Sequence, residues 1–348
     1  MLSRSEFSRG YRTLSPLAFL LILAIFVSPT SRALLSAASS QDPAEPVDVL
    51  RVSTDLLIFP IRVTNKARKT IPQLSENDFV LTDRDGVSNG FYFAAGAGRI
   101  ALLFALDESG SLREIISSQR QTALELFNRF KSESRVAAIR FGQRPRLIAD
   151  FDNDPDAVSR AFSLPPRRNE RTAIFDAAQS AVETFARLRS DPTERRIVIL
   201  ISDGLDNASS TKVDSVIRAA NQNNVSFYVI HLPLFTPREG RLGIRGPAKG
   251  FRDLGEKTGG RYFLASDPKD PLRLDNRVDL SPIFKAIEED VRSQHLIGFY
   301  FNEQGRDGRR HRISISLAPK DLVYSVAGLR FARTHHFEVY FPRVKSEP

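Results

Sequence analysis

Residues 100–111 read Ile-Ala-Leu-Leu-Phe-Ala-Leu-Asp-Glu-Ser-Gly-Ser. The run Ile100 to Leu106 is apolar on both alternating faces, the pattern of a strand covered on both sides in a parallel sheet. It stops at a carboxylate, Asp107. The hydroxyls of Ser109 and Ser111 follow at alternate positions, on what reads as a tight turn from strand to helix. Leu112, Ile115, Ile116, Gln119, Ala123, Leu126, Phe127 and Phe130 then recur with helical spacing and complete a βα unit.

The same rhythm continues downstream. Strands are expected at Val136 to Phe141, Leu147 to Phe151, Ile197 to Ile201 and Val225 to Ile230. Amphipathic helices are expected over Ile174, Ala177, Ala178, Ala181, Val182, Phe185 and Leu188, and near Val213 to Ala220. Such alternation predicts an α/β fold with a doubly wound, mostly parallel sheet. Ligands in these sheets gather at the carboxyl ends of strands, where the strand order reverses. Asp107 and Asp203 both stand at such ends.

Asp203 follows the run Leu200-Ile201-Ser202, and Thr172 stands just before the helix that opens near Ile174. Asp107, Ser109, Ser111, Thr172 and Asp203 thus offer five hard oxygen donors from three loops, a set suited to Mg²⁺, with Mn²⁺ or Ca²⁺ as alternatives. The start of the first helix adds free N–H groups and a positive dipole end, which favour an anion beside the ion. Singly, Ser109 or Ser111 reads as a helix cap, Asp206 and Asn207 as turn residues, and Glu108 as an intervening residue pointing away.

The Asp-x-Ser-x-Ser run, the isolated threonine before a helix and the Ser-Asp-Gly after a buried strand resemble the metal-ion-dependent adhesion site of the von Willebrand factor type A domain. The resemblance covers roughly residues 98 to 265, and the flanks resemble bacterial von Willebrand factor A-related proteins. These carry a short β segment ahead of the domain, here with Leu74 to Gly86, and a Leu-x-Gly-aromatic strand after it, here Leu296 to Tyr300. It implies that Ser109, Ser111 and Thr172 ligate through their hydroxyls, directly or through water for Thr172, and that Asp107 and Asp203 act directly or from behind the ligands. It also implies one open coordination position, filled by an Asp or Glu carboxylate of a protein partner. Asn169, Glu170 and Arg171 depart from the family, which commonly has glycines in the threonine loop.

Around this core the chain divides into further segments. Arg4, Arg9 and Arg12 precede the apolar stretch Leu14 to Val27 and small residues up to Ala38, the layout of a secretory signal with its cleavage region over 1–38. An uncleaved signal anchor is the alternative, and a membrane is a partner only in that case. Cleavage after Ala33 removes four arginines and one glutamate, taking the formal charge from +9 to +6. There is no cysteine, so disulfides, thiolate metal sites and an acylated cysteine are excluded. Residues 39–46 read as a linker, 47–97 as an N-terminal β segment, 98–293 as the metal-binding domain and 294–348 as a C-terminal β segment. A hairpin is expected from His295–Phe301 through Arg306, Asp307 and Gly308 to Ile313, Ile315 and Leu317. Both flanks need cover for one apolar face, which predicts a small β-sandwich beside the domain.

Other chemistries fit less well. The positive charge is dispersed and no recognised motif accompanies it, which argues against nucleic acid. Asp150, Asp152, Asp154 and Asp156 alternate like an EF-hand opening, but Pro155 replaces the glycine and Ala161 the closing glutamate; Asp154-Pro155 reads as a helix start. Arg238 to Gly250 lacks the lysine and hydroxyl of a phosphate loop and reads as a mobile surface loop. His231, His335 and His336 read as structural. A dehalogenase-type phosphatase needs a carboxylate where Ser109 stands, and no Gly-x-Ser-x-Gly elbow is present. The expectation is an exported, non-enzymatic binding protein, with a metal-dependent phosphohydrolase and a scaffold with an unoccupied site as alternatives.

Overall fold

The computed structural model describes residues 55–340 apart from 68, 84–85, 88–90, 97–98, 110–111, 131–133, 152–154, 164–170, 189–190, 192, 239–240, 266–277, 302–309, 320, 327–328 and 332–334. The expected signal, its cleavage region and the linker lie outside the described residues, as do Asp152, Asp154, Asn169, Glu170 and the turn 306–308. Among the described residues no helix is long and apolar enough to cross a membrane.

The chain opens with β1 (Asp55–Asn65), β2 (Phe79–Asp83), β3 (Gly86–Val87), β4 (Tyr92–Ala95) and β5 (Ile100–Asp107). Then come α1 (Arg113–Ser118), α2 (Arg120–Asn128), β6 (Arg135–Phe141), β7 (Pro145–Ala149), α3 (Pro155–Ala161), α4 (Ile174–Ala186), β8 (Arg195–Ser202), α5 (Val213–Gln222) and β9 (Val225–His231). The remainder is β10 (Phe235–Arg238), β11 (Arg241–Ile244), α6 (Phe251–Glu256), β12 (Arg261–Leu264), α7 (Ser281–Ser293), β13 (His295–Phe301), β14 (Arg310–Leu317), β15 (Leu322–Val326), β16 (Leu329–Phe331) and β17 (His335–Tyr340).

Six strands form the central sheet in the order β12-β9-β8-β5-β6-β7, all parallel except β7, which runs antiparallel to β6. The alternation along β5 divides its side chains between two cores. Ile100, Leu102, Phe104 and Leu106 pack with residues of α1, α2, α3 and α7, whereas Ala101, Leu103 and Ala105 pack under α4, α5 and α6. Each large aliphatic or aromatic side chain so covered contributes about 1.5–3 kcal/mol, which is why this run tolerates no polar residue. After β5 the chain turns to one face and after β8 to the other, so the strand order reverses between these neighbours and a crevice opens at their carboxyl ends.

The flanking segments form two antiparallel sheets, β16-β15-β1-β13-β4 and β17-β14-β2-β3. Ile61, Val63, Ile297, Phe299, Tyr324 and Val326 of the first and Phe79, Leu81, Ile313 and Ile315 of the second share one buried cluster, a small β-sandwich. The expected hairpin between His295–Phe301 and Ile313–Leu317 does not form. β13 pairs with β1 and β4, and β14 pairs with β2 and β17, so these strands lie in opposite sheets. Local alternation marks both as half-buried strands but does not say which neighbour each will take.

Three further differences have local causes. The expected single helix over Leu112–Phe130 breaks at Gln119, whose amide donates to Val278 O (2.8 Å) and accepts from Leu280 N (3.1 Å). The strand expected at Leu147–Phe151 starts at Pro145 and returns antiparallel from the β6 edge. Arg238 to Gly250, expected as a mobile loop, instead includes the second strand of the β10–β11 hairpin.

A buried polar cluster ties sandwich to domain. Arg62 of β1 pairs with Asp290 of α7 at 2.5 Å, and Asp290 also accepts from Tyr228 Oη (2.7 Å) and Gln294 Nε2 (3.0 Å). Arg195 donates to Gln294 Oε1 at 2.6 Å. Burial and the Asp290 charge hold the Tyr228 hydroxyl well above its ordinary range, so it stays a donor. Removing Asp290 strands Arg62 and Arg195 without their anion. Asp290→Ala is therefore expected to cost about 3 kcal/mol or more in chemical denaturation followed by circular dichroism. A loss below about 1 kcal/mol contradicts this account of the cluster.

Candidate functional site

Asp107 ends β5 and is fully buried. Its Oδ1 accepts from the backbone N–H of Ser109 at 2.9 Å, and its Oδ2 from Ser202 Oγ of neighbouring β8 at 2.6 Å. Ser202 Oγ also accepts from Gly204 N (3.1 Å), so one serine joins the two loops of the crevice. Burial is the main reason that the Asp107 carboxyl rises from 3.8 to about 7; the charge of Asp203 adds to it, while the bonds from Ser202 and Ser109 oppose it. Asp203 is buried too, accepts from Leu205 N at 2.9 Å, and is also raised, chiefly by burial.

Ser109 Oγ is buried and finds no partner of hydrogen-bonding geometry among the described residues, although it stands near enough to Asp107 to ease its ionisation. Thr172 is buried, and its hydroxyl makes no hydrogen bond among the described residues. Its backbone is fixed from two sides. Thr172 N donates to Asn207 Oδ1 (2.8 Å), Thr172 O accepts from the N–H groups of Asn207 (3.0 Å) and Ala208 (3.1 Å), and Ala173 N donates to Gly142 O (2.8 Å). Ser111 lies outside the described residues. Asp107, Ser109 and Asp203 thus meet at one crevice, and the Asn207 clamp draws the Thr172 loop onto the segment that follows Asp203.

The expected turn residues have larger roles than the sequence suggested. Asp206 Oδ1 accepts from Ile174 N (3.0 Å) and Ser209 Oγ (2.6 Å), while Ser209 Oγ accepts from Phe175 N (2.9 Å). Asp206 and Ser209 therefore cap α4 from a distant loop, and Asn207 positions Thr172. The only sequence signal is the density of short polar side chains in Asp203 to Ser210, which favour bonds to backbone. Gly204 has φ +79°, and a Cβ there would come within 2.6 Å of Pro247 Cβ, so only glycine allows the segment after β11 to pack against this loop. Glu108 leaves the crevice, is buried, and pairs with Arg140 (3.3 Å) and Arg146 (2.5 Å). His231 Nδ1 bonds Tyr262 Oη at 2.5 Å, a structural role, and burial lowers its pKa.

Among the described residues no three His, Cys, Asp or Glu side chains cluster as a metal site. Here the set is two carboxylates with hydroxyls. Two buried carboxylates that repel one another, beside a buried hydroxyl in no regular hydrogen bond among the described residues, are a combination that a hard cation satisfies.

The family model of the von Willebrand factor type A domain matches residues 101–273. Solved structures of similar fold include proximal thread matrix protein 1 from the mussel byssus, in a form described as having a zinc occupied MIDAS motif. It is 16% identical, with 56% of this chain and 48% of that one covered and a TM-score of 0.42. The chain spans about half the length of that mussel protein. BatB from Bacteroides thetaiotaomicron is 17% identical, with 55% and 97% covered and a TM-score of 0.38. A von Willebrand factor type A protein from Catenulispora acidiphila is 12% identical, with 84% and 74% covered and a TM-score of 0.43. A search of curated proteins found no match.

The raised Asp107 pKa fixes a pH dependence for the metal-free protein. Folding favours the neutral acid, so its stabilising effect is complete below about pH 4 and is lost as pH climbs from there through about 7. Asp107→Asn cannot ionise and escapes this loss. In chelator, the variant is expected to gain on the wild type by on the order of 2–4 kcal/mol between pH 4 and 8, read from urea midpoints. Parallel curves across that range contradict the assignment.

Proposed function

The chain belongs to the von Willebrand factor type A domain family through residues 101–273, and from that premise we propose that it is a non-enzymatic protein-binding module. Its crevice takes a divalent cation held by Asp107, Ser109, Ser111, Thr172 and Asp203, and the cation receives an Asp or Glu carboxylate from a partner. The observation that carries the reading is the closeness of Asp107 and Asp203 at the carboxyl ends of β5 and β8, with the Ser109 hydroxyl buried beside Asp107 and in no regular hydrogen bond among the described residues.

The oxygen-only donor set favours Mg²⁺, with Mn²⁺ and Ca²⁺ as alternatives. Two carboxylates offset the charge of such an ion without reversing it, so a further carboxylate still binds. Ser109 and Ser111 supply neutral ligands, and the Asn207 clamp keeps Thr172 in position. Export is part of the proposal and is supported by the arginines at 4, 9 and 12 ahead of Leu14 to Val27.

A ligand that binds only the folded state raises the melting temperature. Mg²⁺ at about 100 times its Kd is expected to add roughly 2.7 kcal/mol of stability. Asp107→Ala, Thr172→Ala and Asp203→Ala are each expected to remove most of the thermal shift. Absence of any shift with Mg²⁺, Mn²⁺, Ca²⁺ or Zn²⁺ overturns the metal reading. Turnover of phosphate esters that Asp107→Ala abolishes assigns a phosphohydrolase instead.

A further inference from the structure

Two of the three segments of the crevice have an exposed arginine beside them. At the threonine loop, Arg171 is exposed, rests its Nε on Asn207 O at 3.0 Å, and has no carboxylate partner among the described residues. At the Asp203 loop, Arg245 is exposed and its charge acts on Asp203. The backbone holds Arg245 there, because Arg245 N donates to Leu234 O (2.7 Å) and Ala248 N donates to Gly204 O (2.7 Å).

The acidic residues nearby do not cancel this rim. Asp206 is turned onto Ile174 N and Ser209 Oγ, and Asp176 accepts from the N–H groups of Ser210 (3.1 Å) and Thr211 (2.8 Å). These carboxylates keep their charge, but their oxygens are turned onto backbone and hydroxyl donors and form no ion pair with Arg171 or Arg245 among the described residues. Asp107 and Asp203 are committed to the ion on the reading above. Arg171 and Arg245 therefore remain as exposed cations at two sides of the site.

We propose that the partner is an acidic protein segment with several Asp or Glu residues, one carboxylate on the ion and its neighbours on Arg171 and Arg245. This rests on the metal-binding reading of the same crevice. A lone carboxylate satisfies the ion but leaves the rim unpaired. A cluster uses both, and the rim charges also steer its approach.

The test uses the full chain and two synthetic peptides of equal length, one with six consecutive glutamates and one with a single glutamate in a Gly-Ser frame. Binding is read by fluorescence anisotropy with Mg²⁺ and with EDTA, at several salt concentrations. With Mg²⁺ the clustered peptide is expected to bind about tenfold more tightly, with an advantage that shrinks as salt rises. The double variant Arg171→Gln with Arg245→Gln is expected to lose that advantage, and its melting curve reports that it is folded. Equal affinity for both peptides overturns the acidic-segment proposal and leaves the metal reading standing. Undiminished binding of both in EDTA overturns the metal reading and, with it, this proposal. Arginine-dependent binding of the clustered peptide in EDTA keeps the rim but not the ion. Failure of both peptides to bind overturns the proposal, and so does a heparin fragment that binds more tightly than the clustered peptide, which assigns the rim to a sulfated polysaccharide.

Discussion

The architecture of the crevice depends on a single carboxylate placed where water cannot reach it. Asp107 stands at the end of a strand covered on both faces, and a buried carboxylate is tolerated only if it is neutralised, hydrogen-bonded or paired with a cation. Among the described residues, Ser109 N and Ser202 Oγ donate hydrogen bonds to it, and no cationic side chain bonds it. Those bonds leave the carboxyl raised to about 7, so the folded chain retains an unmet electrostatic demand at this point.

Much of this was legible in the sequence because the physics is local. An apolar run that ends on Asp107 specifies both a doubly covered strand and the position of its carboxyl end, and Ile197 to Asp203 repeats the signal. Two such strands beside one another, with helices leaving to opposite faces, require a crevice between them. The parts that were not legible depend on contacts between segments remote in sequence. Asn207 is an ordinary turn residue until Thr172, 35 positions away, is seen to donate to it. Glu108 is an intervening residue in sequence, and only the neighbouring strands β6 and β7 show why it is buried, because they bring Arg140 and Arg146 to it.

The flanking strands show the same limit more strongly. Alternation along His295–Phe301 and Arg310–Leu317 correctly marks strands with one apolar face, yet chain proximity favours pairing them with each other. The molecule instead sends them to opposite sheets, where each meets a strand from the N-terminal segment: β13 pairs with β1, and β14 with β2. Pairing across more than 200 residues closes the sandwich from both ends of the chain, with the domain inserted between. The Asp290 cluster follows from that closure. It needs Arg62 from one flank, Tyr228 and Arg195 from the domain, and Gln294 at their junction, so no local window contains it.

The treatment of Glu108 decides how the crevice handles charge. A third carboxylate next to Asp107 is the simplest way to tighten a divalent cation, and the sequence places one there. Three carboxylates on a doubly charged ion leave a net negative site, which repels any acid arriving from another molecule. The fold instead turns Glu108 out of the crevice and buries it against Arg140 and Arg146. On the proposed reading the ion then meets two carboxylates with neutral hydroxyls, and the exposed Arg171 and Arg245 stand outside them. A site meant only to retain its metal gains nothing from that ordering. One meant to accept a foreign carboxylate needs it, because the ion must keep part of its charge and the approach must be free of repulsion.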